Sequence, residues 1–247
     1  MPKPFCPHGK IWTLCTICKK EFMDKKNLAA FTEGRFLGDR NLAFKCNWMD
    51  TDYEKPCTVI GRRFNIIEAK HVWCTQPENE CKQLEEGKIG TVSDEPCYES
   101  AIFNKWEFGA GVYHTGEKAG KGIKINYKMV GKIALLTTRG PNEIEDKRII
   151  FGFLRIKDFS SDPTSGATHV MGDKHTSLKI PNDSRLYFWD FYRNQNTPEK
   201  IWSSLLFRYL SDESIEKYLI AQLDRLKITG HVAEGKIVSD VLKLYSK

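Results

Sequence analysis

Four residues near the N-terminus have the types and spacing to hold a metal ion. Residues 5–22 read F-C-P-H-G-K-I-W-T-L-C-T-I-C-K-K-E-F, so Cys6, His8, Cys15 and Cys18 form C-x-H-x6-C-x2-C. The C-x2-C half is a knuckle that turns two thiolates toward one ion, and C-x-H supplies the other two corners of a tetrahedron. Zinc suits such a donor set. All four corners are filled, which leaves no place for an activated water, so the expected role is structural and not catalytic. The segment has little to bury besides Ile11, Trp12 and Phe22, and metal binding would supply most of its folding energy. The competing reading is a cysteine pair without metal and a solvated His8.

The remaining cysteines are Cys46, Cys57, Cys74, Cys81 and Cys97. The N-terminus lacks the apolar core of a secretion signal, which favours metal or reduced thiols over disulfides. No pair among Cys57, Cys74, Cys81 and Cys97 has C-x2-C spacing, so a second metal and ordinary thiols both remain open. His71 lies beside Trp73 and reads as a packed ring, while His169 and His175 stand in a polar loop without a ligand pattern.

Residues 106–125 carry glycines at 109, 111, 116, 120 and 122. A phosphate loop fails on spacing and on the missing Ser or Thr after Lys121. A dinucleotide fingerprint fails for want of a strand–helix context around Gly109 and Gly111. What remains is a connection, or a loop that brings Tyr113, His114 and Lys121 to a ligand.

The elements that must position these residues follow from the apolar pattern. Lys132–Arg139 and Arg148–Lys157 are dense in β-branched and aromatic residues without helical period, and read as two buried strands joined by a loop at Gly140–Pro141. In the second, Ile149, Phe151 and Phe153 alternate with Ile150, Leu154 and Ile156, so both faces are apolar and the strand belongs in the interior. Asn41–Trp48 alternates like a half-buried strand. The run Arg185–Arg193 reads as a strand with Tyr187, Trp189 and Phe191 on one side and Phe188 and Tyr192 on the other, either core or a stacking surface. Thr197–Pro198–Glu199 has the form of a helix start, with Ile201, Leu205, Leu206 and Tyr209 as its apolar face. Ser211–Asp212–Glu213 starts a second helix ending at Gly230, with Ile215, Tyr218, Leu219, Leu223 and Leu226 as its stripe. A turn at Glu234–Gly235 and a short helix over Ser239–Tyr245 complete a tail that either packs on the core or forms a small DNA-binding module, with Lys217, Arg225, Lys227 and Lys236 for phosphates.

At 247 residues, 40% hydrophobic and 12% aromatic, the chain has enough apolar material for a core, which excludes global disorder. The net charge of +6 fits a nucleic-acid partner without requiring one. No apolar run reaches the length of a membrane span. A cytoplasmic location is expected.

The strand pair K-I-A-L-L-T-T-R (132–139) and I-I-F-G-F-L-R-I (149–156), with Gly152 at a small-residue position, resembles the core of the PUA-like superfamily, the EVE, ASCH and YTH domains. The resemblance is carried by about thirty residues and extends loosely over 40–195. It implies an α+β fold: a small mixed β-barrel with an N-terminal zinc element and C-terminal helices, divided into residues 1–38, 39–195 and 196–247. It also implies a non-enzymatic reader that holds a modified or flipped base, in DNA sooner than RNA. Trp106, Tyr113 and Trp189 are then the expected pocket walls, and Arg139, Arg148 and Lys121 the expected backbone contacts. A homodimer through the helical tail is a further expectation. Two other classes stay open: a metal-dependent nuclease or nucleobase-modifying enzyme, whose signatures are missing, and a zinc-containing protein-interaction adaptor.

Overall fold

The computed structural model describes residues 40–126, 129–193, 199–202 and 206–245. The chain divides into a unit of residues 1–40 and a unit of residues 41–247, and the fold below is that of the second. The metal motif at Cys6, His8, Cys15 and Cys18 lies outside the described residues.

Eight strands form one sheet: β1 (Asn41–Lys45), β2 (Glu107–Gly109), β3 (Ile133–Thr138), β4 (Ile149–Ser161), β5 (Thr168–Gly172), β6 (Leu178–Lys179), β7 (Leu186–Tyr187) and β8 (Phe207–Leu210). Their order is β2-β5-β4-β3-β1-β8, with β6 and β7 also on β4. β1 and β3 run parallel, and every other pairing is antiparallel. The mid-chain runs therefore pair as their composition requires, at the centre of the sheet. The barrel does not follow. Among the described residues β2 and β8 end the path without meeting, so the sheet is open. A barrel closes only when its end strands pair, and here both faces are instead covered by packed side chains. The coarse class, a mixed α+β chain with C-terminal helices, stands.

Two apolar layers, one on each face, bury the central strands. Ala43, Ile133, Leu135, Ile150 and Phe153 pack with Ile215, Tyr218, Leu219, Leu226, Val238 and Val241. Leu42, Phe44, Ala134, Leu136, Phe151, Leu154 and Ile156 pack with Tyr53, Ile102, Phe103 and Phe108. The composition of β4 correctly places it in the interior, but its faces differ from strict alternation. Opposite β3, the register jumps between Leu136 and Thr137, pairing Leu136 with Gly152 and Thr137 with Ile150. The extra residue shifts the phase, because the side-chain period of a strand is two. Ile150 and Phe153 thus share one face, and Phe151, Leu154 and Ile156 the other. Gly152 is required at this point: a Cβ there would meet Phe103 Cζ at 2.7 Å and the Leu178 carbonyl at 2.9 Å.

The C-terminal helices are α4 (Asp212–Thr229) and α5 (Val232–Tyr245), following the short helices α1 (Val59–Arg63), α2 (Glu80–Glu85) and α3 (Ile102–Lys105). α4 has the caps its sequence signals: the Ser211 side chain accepts from Ser214 N–H, and Gly230 ends it at φ 82°. Ile215, Tyr218, Leu219 and Leu226 are buried, and both helices pack on the sheet as a core layer.

Three expected elements differ. The helix expected after Thr197 is not formed where its register would matter most, because Phe207–Leu210 is strand β8 on the free edge of β1. An unpaired edge next to a buried strand outweighs local helix signals. The aromatic run yields only the two-residue β7 before a 3₁₀ turn over Phe188–Asp190, which turns both Phe188 and Trp189 inward. Gly235 lies inside α5, where a Cβ would meet Leu223 and Leu226 of α4 only at ordinary contact distance. No described helix is long and apolar enough to cross a membrane.

Candidate functional site

The carboxyl ends of the parallel strands β1 and β3 collect positive charge. Lys45 is the last residue of β1, facing Thr137 of β3 in the register. Arg139 follows β3 directly and is exposed, while Arg148 precedes β4 and is 2% exposed. Arg208 comes from β8, opposite Ala43. Four cationic side chains thus meet because the ends of four neighbouring strands meet.

Each has a structural cause for its position. Arg148 Nη2 donates to Glu145 Oε2 at 3.0 Å, and its guanidinium lies 4.9 Å from the Trp202 ring centroid. Arg208 donates from Nη1 to Tyr192 OH at 3.1 Å and from Nη2 to the Ile201 carbonyl at 2.8 Å. Its guanidinium also lies 5.4 Å from the Trp202 centroid and 5.3 Å from that of Tyr192. Both guanidiniums thus lie against the Trp202 ring, at about 1 kcal/mol per cation–π contact. Trp189 Nε1 donates to the Glu145 carbonyl at 2.8 Å, fixing the turn whose carboxylate holds Arg148.

The electrostatics show how unbalanced this end is. Burial lowers the pKa of Lys45, and Arg148, Arg139 and Arg208 lower it further against Glu145. His71 is pushed down to about 4, first by burial and then by Lys45, Arg139 and Arg148. Like charges held together oppose one another, and perturbed titratable groups in one place are a mark of candidate functional sites. A phosphate or carboxylate entering here would relieve the repulsion.

The expected site residues divide into two groups. Arg139, Arg148 and Trp189 come together at this end. Trp106, Tyr113 and Lys121 do not join them. Trp106 closes α3 in the left-handed region (φ 53°) and packs edge-on against Phe103, on the sheet face opposite Trp189. It also lines a surface cavity of about 390 Å³ with Lys174, Lys179 and Glu234. Tyr113 and Lys121 share a glycine-rich loop, where Tyr113 N–H donates to the Lys121 carbonyl at 3.0 Å and Lys118 Nζ lies 5.6 Å from the Tyr113 ring centroid. Trp189 is 4% exposed and belongs to the core, so it supports the site from beneath instead of forming a pocket wall.

Lys45, Arg208 and His71 were not legible as site residues. Lys45 reads as one of many strand-end lysines, Arg208 as part of a helix, and His71 as a lone packed ring. Only the parallel pairing of β1 with β3 and the placing of β8 on β1 bring them together. His169 is also accounted for: its Nδ1 meets Glu107 Oε1 at 2.7 Å across the β2–β5 pair. Comparison of the chain with family models, curated proteins and solved structures gives no match.

Proposed function

We propose that the protein is a non-enzymatic nucleic-acid-binding reader that grips phosphate at the cationic end of β1 and β3. The observation that carries this reading is the like-charged group of an exposed Arg139, half-buried Lys45 and Arg208, and the buried Arg148 beneath them. Lysine and arginine set against phosphates gain free energy by releasing counterions, and fixed guanidiniums orient the backbone. Among the described residues the open sheet has no barrel cup to offer a base, so in this reading the contact with nucleic acid is assigned to the strand ends. In this reading DNA is the partner, a modified base is the feature read, and the Cys6, His8, Cys15, Cys18 element is a structural zinc appendage.

The test is fluorescence anisotropy with duplex DNA, base-modified duplex DNA, single-stranded DNA and RNA over a range of salt. The expected outcome is salt-dependent binding that is tightest for a modified duplex and at least about tenfold weaker in Lys45→Ala/Arg139→Ala, with a salt slope reduced by about 1–2. Equal binding by the double variant, or no salt-dependent binding to any probe, would overturn the reading. Binding without preference for modified bases would remove the reader part and leave the nucleic-acid part.

A further inference from the structure

The segment between β1 and β2 holds only short helices and turns, yet it buries an unusual set of side chains. Cys57, Cys74, Cys81 and Cys97 line one cavity of about 20 Å³, together with Asn47, Asn65, Arg62 and Glu99. Cys57 comes from the loop before α1, Cys74 from a 3₁₀ turn, Cys81 from α2 and Cys97 from the turn before Tyr98. A cavity of this size accommodates about one atom of water dimensions. We propose that these four thiols are the ligands of a second structural zinc ion, bound as a tetrathiolate.

Burial of a single cysteine needs no special account, because the thiol behaves as a small apolar group. Four thiols drawn from separate stretches to one wall that also carries a carboxylate are a different matter. Without a cation, ionising any one of them opposes ionising the next. A divalent ion reverses that: the thiols release their protons to solvent and the thiolates share its charge. Arg62 on the same wall opposes the surplus negative charge of four thiolates.

Hydrogen bonds around two of the cysteines are in place. Asn65 Nδ2 donates to Cys57 Sγ at 3.6 Å, and the Ser100 backbone N–H and hydroxyl fix the Cys97 carbonyl at 3.3 and 2.7 Å. Such hydrogen bonds, to a ligand atom or to its backbone, orient it around an ion. Among the described residues no three Cys, His, Asp or Glu side chains are grouped to hold an ion as they stand. All four cysteines line the cavity, and closing a sulfur shell around an ion requires side chains to change staggered χ1 wells. The site would fasten the segment that carries His71 beside the cationic end, and it does not depend on what that end binds.

The test uses the full chain carrying Cys15→Ser/Cys18→Ser, which removes the N-terminal thiol pair. After growth with zinc, metal content is measured by atomic emission and the ligand shell by X-ray absorption. The expected result is about one zinc per chain with an all-sulfur shell near ~2.3 Å, lost when Cys74→Ser/Cys97→Ser is added. A folded Cys15→Ser/Cys18→Ser chain without zinc, its remaining thiols either freely titratable or paired as disulfides, overturns the proposal. Should that variant not fold, the unaltered chain decides. A second equivalent of zinc, released by a thiol-specific mercurial, supports the tetrathiolate. A single equivalent with nitrogen in its shell overturns it.

Discussion

The two ends of the parallel pair β1–β3 are built from similar residue types and balanced in opposite ways. At the amino end, Asn41 is fully buried, accepts from Ile133 N–H at 2.9 Å and donates to Asp212 Oδ1 at 2.9 Å. Lys132 Nζ meets both Asp212 oxygens, at 2.8 and 2.7 Å, and Tyr245 OH sits against Asn41 Oδ1, at 2.6 Å, and Asp212 Oδ1, with one proton to give to either. Charge is neutralised there, the Asn41 amide is partnered at both its atoms, and strand, helix start and chain end are tied together. At the carboxyl end, Lys45, Arg139, Arg148 and Arg208 gather near Glu145, and burial together with Lys45, Arg139 and Arg148 lowers the pKa of His71. Polar groups close one end as a lock, whereas the other gathers like charges around the Glu145–Arg148 pair. Satisfied polar networks specify a fold, and a gathering of cations suits an anionic ligand.

Substitutions at the two ends should therefore separate stability from binding. The largest stability effect is expected from Asn41→Ala, which strands the Ile133 N–H and loosens Asp212. Urea unfolding should show a loss of about 2–4 kcal/mol, with nucleic-acid affinity unchanged in the folded protein. The reverse pattern is expected of Lys45→Ala/Arg139→Ala: affinity falls about 10–100-fold in anisotropy titrations while the unfolding midpoint holds or rises. If both variants lose stability and affinity together, the contrast between the ends fails.

Acid provides a subtler probe. His71 is held near 4 in the folded chain, against about 6.5 when unfolded. Between those values the unfolded chain binds more protons, so the stability linked to His71 is present above about 6.5 and lost as pH falls toward 4. The expected size is on the order of 1–3 kcal/mol, and His71→Gln should flatten this part of the pH–stability curve. A bound phosphate should raise the His71 pKa in an NMR titration. The smallest effect is expected from Lys45→Met, which removes one member of the like-charged group and keeps the apolar stem. A gain of a few tenths of a kcal/mol at low salt, fading as salt is added, would fit.

Local pattern revealed the strongest elements. The β-branched runs at 133–138 and 149–156 are strands at the centre of the sheet, and Ser211 with Gly230 bounds α4, because in these stretches propensity, patterning and caps agree. The face assignment in β4 was not legible, since a bulge shifts the phase without any mark beyond Gly152. Residues 207–210 carried an apparent helix face and became a strand, because the open edge of β1 offered backbone partners that no local pattern encodes. Arg139 and Arg148 could be picked out as strand-end cations, and Trp189 as an aromatic nearby. Lys45, Arg208 and His71 could not, as they are distant in sequence and ordinary in type.

The sequence by itself determined which segments are apolar enough to be central, where the long helix starts and stops, and that the four thiols at 57, 74, 81 and 97 lack a knuckle spacing. Tertiary structure alone decided that the sheet stays open, that β1 lies parallel to β3, and that the four thiols share one wall. The reason is physical. Propensity and capping act over a few neighbouring residues, whereas strand order and the meeting of charges depend on contacts between segments far apart in the chain, whose energies appear only once the core has formed.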